Sequence, residues 1–221
     1  MLPTESAIDS AFPDLAPPMA PVVRRPTGNT APAPLDAAVV GPVSASVPDW
    51  SREHRRWNEW APAKSLIASV RAYQRHAARR GPIALLGRRV AVLRHCIWSL
   101  VTGAEVPLNA KLGGGLVLPH PNGVVIHPAA TIGPNCMIFQ QVTLGAVRGR
   151  VPTIGGHVDI GAGAKLLGGV RVGDHARIGA NAVVLCDVPG GATAVGVPAI
   201  VLGVRDVVPV SGWTAVDEDA A

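Results

Sequence analysis

Residues 154–185 read IGGHVDIGAGAKLLGGVRVGDHARIGANAVVL, with an aliphatic side chain at every sixth place: Ile154, Ile160, Leu166, Val172, Ile178 and Val184. Glycine follows four of them, as Gly155, Gly161, Gly173 and Gly179. The same beat runs upstream through Ile126, Ile132, Ile138 and Leu144, and earlier through Val106, Leu112 and Leu118. A helix repeats at about 3.6 residues and a strand at 2, so neither accounts for a period of six. Such a period marks a parallel β-helix, where each short side buries its aliphatic residue only by stacking on the coil below. The fold class predicted is mainly β, a parallel β-helix of hexapeptide repeats preceded by a short α-helical segment.

The repeat slips phase twice. Leu118 to Ile126 spans eight residues, leaving two extra around Pro119-His120-Pro121-Asn122-Gly123. Leu144 to Ile154 spans ten, extruding a loop from Ala146 to Thr153. A stacked coil tolerates insertions only where they leave the stack, so function is expected at these two places.

Four segments follow. Residues 1–48 hold ten of the 21 prolines and no apolar periodicity, and read as a disordered Pro/Ala-rich arm. Residues 49–103 read as helical. Leu66, Ile67, Val70 and Tyr73 lie at helix-face spacing, Gly81-Pro82 breaks the run, and a second helix over Ile83–Leu100 carries the apolar stripe Leu86, Val90, Leu93 and Ile97, closed by Gly103. The β-helix occupies 104–203, and an irregular tail 204–221.

Composition narrows the class. Aromatics are 4%, and the 25 glycines and 21 prolines suit an aliphatic coil with tight corners. Cys96, Cys136 and Cys186 form no paired framework and read as reduced and semi-buried, which favours a cytoplasmic setting; Cys136 and Cys186, within the repeats, read as packing residues. The N-terminus lacks a basic start followed by an apolar run, and Arg88, Arg89 and Arg94 interrupt the apolar stretch 83–101, so neither a leader nor a stable membrane span is expected. Net charge is +5 but uneven, with eleven Lys or Arg and two Glu between Arg52 and Arg94. That run reads as a solvated helical face, with attraction to an anionic surface, acceptor or coenzyme phosphate as the sharper alternative. No recognition motif for nucleic acid accompanies it.

An imidazole as a class changes charge near neutrality, so His120, inside the first bulge, is suited to take a proton from a hydroxyl. Glu105, one coil side earlier, is the only upstream acid near the coil able to orient it. His157 and His175 are three hexapeptides apart and should stack on one face; an exposed ladder is the plain reading, and no metal is expected. His127 should face outward. Tiny side chains around Gly161, Ala162 and Ala180 expose backbone to an extended ligand, or simply fit the corners.

With those residues in view, the run from Glu105 to Gly203 resembles the hexapeptide-repeat acyltransferases, and within them the serine O-acetyltransferases, through PHPNGVVIHPAATIG, QQVTLG, IGAGAKLLGGVRVG, ARIGANAVVL and AVGVPA. The resemblance implies a left-handed coil, an exception to the usual right-handed crossover. It also implies a cytoplasmic homotrimer with acetyl-CoA in clefts between coils, and O-acetylserine formation for cysteine biosynthesis. His120 would be the general base and Glu105 would stand for the family's partnering aspartate. Gly145, Gly161, Ala162 and Ala180 would meet the coenzyme's pantetheine arm, and Pro198 and Ala199 its adenine end. Pro119, Asn122 and Arg150 would border the acceptor.

The sequence also departs from that family. Pro119 stands where an aspartate usually precedes the histidine, and Arg150-Val151 where an Arg-His pair is usual. The helical lead-in is short, which leaves the pairing of trimers into hexamers open. The sequence ends Asp219-Ala220-Ala221 rather than in the isoleucine that docks into a partner sulfhydrylase, so that complex is not expected. The alternative reading is a sugar O-acetyltransferase of exopolysaccharide or capsule. A γ-type carbonic anhydrase needs two histidines five apart, a spacing absent here.

Overall fold

The computed structural model of the protein describes residues 43–203, Trp57 excepted. Most of the Pro/Ala-rich arm and the tail from 204 lie outside the described residues. Within them a 3-10 turn (Trp50–Glu53) leads to α1 (Pro62–Ala77) and α2 (Pro82–Thr102), followed by thirteen short strands.

The strands build three faces. Face I stacks β2 (Val125–Ile126), β5 (Thr143–Gly145), β8 (Lys165–Leu167) and β11 (Val183–Val184). Face II stacks β1 (Lys111–Leu112), β3 (Thr131–Ile132), β6 (Thr153–Ile154) and β9 (Arg171–Val172). Face III stacks β4 (Met137–Ile138), β7 (Asp159–Ile160), β10 (Arg177–Ile178) and β12 (Thr193–Val195), with β13 (Ile200–Leu202) antiparallel at its end. All other strand pairings are parallel, and the chain passes I, II, III and back to I. This is the three-sided β-helix that the six-residue period predicts.

Two inward positions per hexapeptide fill the prism. Ile126, Ile132, Ile138, Leu144, Ile154, Ile160, Leu166, Val172, Ile178 and Val184 are all buried, and so are the residues two places before each strand's inward aliphatic, such as Val142, Val158, Ala164 and Ala176. Cys136 belongs to this second set; burial pushes its thiol up to about 11, which keeps it protonated and inert. Cys96 and Cys186 depart from expectation. Both are exposed, Cys186 on a turn where the side chain leaves the stack.

The helices also correct a prediction. Leu86, Val90, Leu93 and Ile97 are not packed beneath α1; they are exposed, with Leu86 and Val90 at the rim of a groove beside Ala72 and His76. The buried residues of α2 are Ala84, Ala91 and Thr102, with Gly87 on the same stripe. Gly87 shows why: a Cβ there would come within 2.5 Å of the His76 ring. Small residues let the two helices approach closely, and closeness outweighs the larger apolar stripe. Gly103 ends α2 as predicted, at φ 63°.

A buried clamp ties the helices to the first coil. Arg71 pairs with Glu53 at 2.9 Å, with side chains only 16% and 11% exposed. Arg71 also donates to the carbonyls of Leu112 and Gly113, while Glu53 accepts from the amides of Gly115 and Leu116. Trp50 covers the guanidinium at 5.3 Å. Asn135, 1% exposed, adds a second tie by donating to the carbonyls of Ser44 and Val47 and accepting from the Asp49 amide. Removing one partner of a buried pair strands the other charge. Arg71→Met should therefore cost about 3–5 kcal/mol in urea unfolding; a loss under about 1 kcal/mol would show that the clamp is solvated.

Candidate active-site edge

The first bulge leaves the prism at the corner between faces III and I. Leu118 and Val124 are buried and anchor its ends, while Pro119 and His120 are exposed. The Val124 amide donates to the Pro121 carbonyl at 3.1 Å, closing a tight turn with Gly123 at φ 68°. Gly123 donates down to the Gly103 carbonyl, the last residue of the helical lead-in, and the Asn122 carbonyl accepts from Gln141 above. The two prolines fix φ on either side of His120, so the imidazole is presented from a stiff turn.

The same corner recurs in every coil above. The Gly163 amide donates to the Gln140 carbonyl and the Asn181 amide to the Ala162 carbonyl, so Asn122, Gln140, Ala162 and Ala180 form one ascending edge. Gln141 and Asn181 take left-handed φ of 58° and 57° there. At Gly161 a Cβ would stand 2.6 Å from the Ala180 amide nitrogen, so only glycine fits. Above them Gly196 accepts from Val183 and Ala199 donates to Val183, bringing Pro198 and Ala199 over the end of face I beside this edge. The predicted residues Gly161, Ala162, Ala180, Pro198 and Ala199 are thus gathered along the line that starts at the His120 turn.

The others lie elsewhere. Glu105 pairs through its backbone with Val125, at the foot of face I, with an exposed side chain. No hydrogen bond joins it to His120 among the described residues. Gly145 ends β5 at the opposite border of face I. Arg150 stands in the second bulge at the corner between faces I and II, in a two-residue hairpin. Val147 and Arg150 exchange backbone hydrogen bonds, and Arg148 and Gly149 have φ of 51° and 73°, the type I′ pattern. One chain therefore presents the two bulges from opposite borders of face I.

Sequence reasoning missed Gln140. Its Oε1 is buried, with no hydrogen-bond partner among the described residues, directly between the His120 turn and Ala162. A buried amide oxygen of that kind requires a donor, which a bound ligand can supply. The signal available was the Gln140-Gln141 pair beside the bulge. A cavity of about 220 Å³ also reaches the turn, walled by Pro119, Pro121, Arg52, Lys64, Glu59 and Trp60. Among the described residues no cluster of three or more metal-ligating side chains occurs, and no helix is long and apolar enough to cross a membrane.

Comparison with known proteins gives this edge a context. The family model for the bacterial transferase hexapeptide (six repeats) matches residues 152–186. A serine acetyltransferase of Synechococcus elongatus is 46% identical over 113 residues, covering 48% of this chain and 46% of its own. One of Helicobacter pylori strain J99 is 52% identical over 103 residues, covering 45% and 60%. Among solved structures, a serine acetyltransferase complex with CoA superposes with a TM-score of 0.55 at 35% identity, over 65% of this chain and 58% of that one. The Neisseria gonorrhoeae serine acetyltransferase in complex with serine gives 0.55 at 36%, again over 65% and 58%. The chain spans about half the length of the curated relatives it matches.

Two further histidines stand on the corner between faces II and III, away from this edge. His157 and His175 stack as predicted, Nδ1 to Nδ1 at 2.8 Å, each in a left-handed conformation with φ of 52° and 62°. His127 is half-buried, its Nδ1 accepting from the Ala129 amide. Burial holds His157 below the ordinary histidine range; Asp159 pulls the other way, and His175, Arg52 and Arg177 add smaller repulsions. A folded state that resists protonation loses stability as pH falls below the unfolded value of about 6.5. Burial lowers His95 as well, so comparison with a variant isolates His157. Stability should decline between about pH 7 and 5, and His157→Asn, which tolerates the positive φ, should decline less, by under about 1 kcal/mol because the ring is partly solvated. Parallel pH profiles for the two proteins would remove this role.

Proposed function

We propose that this protein is an acetyl-CoA-dependent O-acetyltransferase, that its acceptor is serine, and that His120 is its general base. The observation that carries the reading is the shared edge: the one histidine turn that leaves the coil stands at the foot of the column containing Gln140, Ala162 and Ala180. The likeness to serine acetyltransferases, among them complexes with CoA and with serine, supports the same chemistry.

The residues fit an extended thioester ligand. Along the edge the side chains of Gly161, Ala162 and Ala180 are minimal, so a pantetheine arm can approach the main chain. Gly145 offers a similar surface on the other border of face I, and Pro198 and Ala199 close the far end for an adenine. Pro119 and Asn122 border the acceptor beside His120. His120 accepts the proton of the acceptor hydroxyl as that oxygen bonds to the thioester carbonyl carbon. The carbon–sulfur bond then breaks, and the imidazolium returns the proton to the departing thiolate. Atoms and charge balance without a covalent enzyme intermediate, provided both substrates are held together.

The two bulges explain why we propose a homotrimer. Arg150 and His120 emerge from opposite borders of face I, so one chain presents its two bulges to different sides. Packing three prisms side by side brings the border of one chain beside the opposite border of the next. Glu105, at the foot of face I, then stands in for an orienting carboxylate. The setting proposed is cytoplasmic.

A sugar hydroxyl is the second reading, favoured by one observation: an indole, Trp60, walls the cavity that reaches Pro119 and Pro121, among the polar side chains of Arg52, Glu53, Glu59 and Lys64. A thiol-release assay with acetyl-CoA against serine and a panel of sugars decides between them. General-base help is worth about 10² to 10⁴ in rate, roughly 3–5 kcal/mol. His120→Ala should lose at least about a hundredfold in turnover while still binding coenzyme A and keeping its assembly. An undiminished rate removes His120 from the mechanism.

A further inference from the structure

Helix α2 carries a second apolar stripe that nothing in the described structure covers. Ile83, Leu86, Val90, Leu93, Ile97 and Leu100 recur at alternating intervals of three and four residues. All six are exposed, from 48% at Val90 to 86% at Leu100. At about 100° per residue they occupy an arc roughly 100° wide, adjoining the stripe of small residues that meets α1; Ile83, Leu86 and Val90 edge a groove shared with Ala72 and His76 of α1. Arg89 borders this arc on one side and Arg94 on the other.

Charge indicates what covers it. Neither α1 nor α2 contains a carboxylate. Of the two glutamates in the eleven-cation stretch, Glu53 is engaged by Arg71 and Glu59 by Lys64. The rest of the sequence carries nine Lys or Arg against thirteen acids, so the excess positive charge is concentrated on the helical segment. The three-four spacing is also that of a coiled coil. A second copy of α2 laid on this stripe, however, sets Arg89 and Arg94 against their own like, with no acid on either helix to relieve them. A plane of lipid phosphates relieves them all, with the arginine stems reaching along the apolar border.

We propose that α2 docks in the plane of an anionic lipid bilayer, its six-residue apolar stripe in the headgroup boundary and Arg89 and Arg94 on phosphates. The helix lies on the membrane; it is not long and apolar enough to cross one.

The test is co-sedimentation of the full chain with vesicles of phosphatidylglycerol and phosphatidylcholine in equal parts, and with phosphatidylcholine alone. The expected result is binding to the anionic vesicles at least about tenfold tighter than to the neutral ones, weakened by salt. The double variant Leu86→Glu/Leu93→Glu should abolish binding. Arg89→Gln/Arg94→Gln, both on the surface and harmless to folding, should weaken it by about fivefold per arginine, and carries the test if the leucine variant fails to fold. Failure of the wild type to pellet with anionic vesicles overturns the proposal, as does binding unchanged by the arginine variant. An assembly whose mass falls in the leucine variant, with the wild type ignoring vesicles, assigns the stripe instead to a second copy of the chain.

Discussion

Each coil of this protein exists because the one beneath it satisfies its backbone. Amides at the corners donate to carbonyls one coil down: Asn135 to Gly114, His157 to Pro134, His175 to Gly156 and Gly191 to Asp174 on one corner, with Gln141, Gly163 and Asn181 on another. The strands between are two or three residues long, far too short to be stable alone. Their cohesion comes from the column of Ile, Leu and Val packed inside the prism, which grows with every coil added. An insertion is tolerated only by leaving the stack, and both insertions do so. The location of the proposed chemistry is thus a consequence of the stacking rule.

That rule also explains what was legible in the sequence. The inward aliphatics had to recur at six, so Ile126 through Val184 were read correctly from spacing alone. The stacking of His157 on His175 followed from the same count, three hexapeptides to a coil. The corners were less legible. Left-handed conformations at Asn135, Gln141, His157, His175 and Asn181 belong to residues that spacing does not single out, because at each the cost of positive φ is met by a hydrogen bond to the preceding coil. Cys186 was misread as a packing residue because the turn there carries it off the stack.

The helices were harder still, since α2 has two candidate faces. Hydrophobicity favours the stripe through Leu86 and Leu93, whereas packing selects Ala84, Gly87 and Ala91, which let α1 come close. Large apolar residues win a helix interface only where the partner leaves room, and His76 leaves none above Gly87. Gln140 was passed over for a related reason. Alternation along a strand assigns a side chain to inside or outside, but whether an amide oxygen is sealed from water depends on neighbouring coils that spacing does not reveal.

If the proposed transfer takes place at the bulges, their geometry suits such a coil to join two substrates. A prism has flat sides and offers no deep concavity of its own; the cavity beside the His120 turn exists only because the helical lead-in folds against it. A bulge on one border and a hairpin on the other are each half of a cleft. Rigid stacking holds each half in place, since the His120 turn is pinned between Gly103 below and Gln141 above. Bringing complementary borders together then requires only translation and rotation of whole prisms, with no refolding of either loop. In the proposed trimer, the rigidity that keeps the two bulges apart on one chain is what would let several copies build an accurate site.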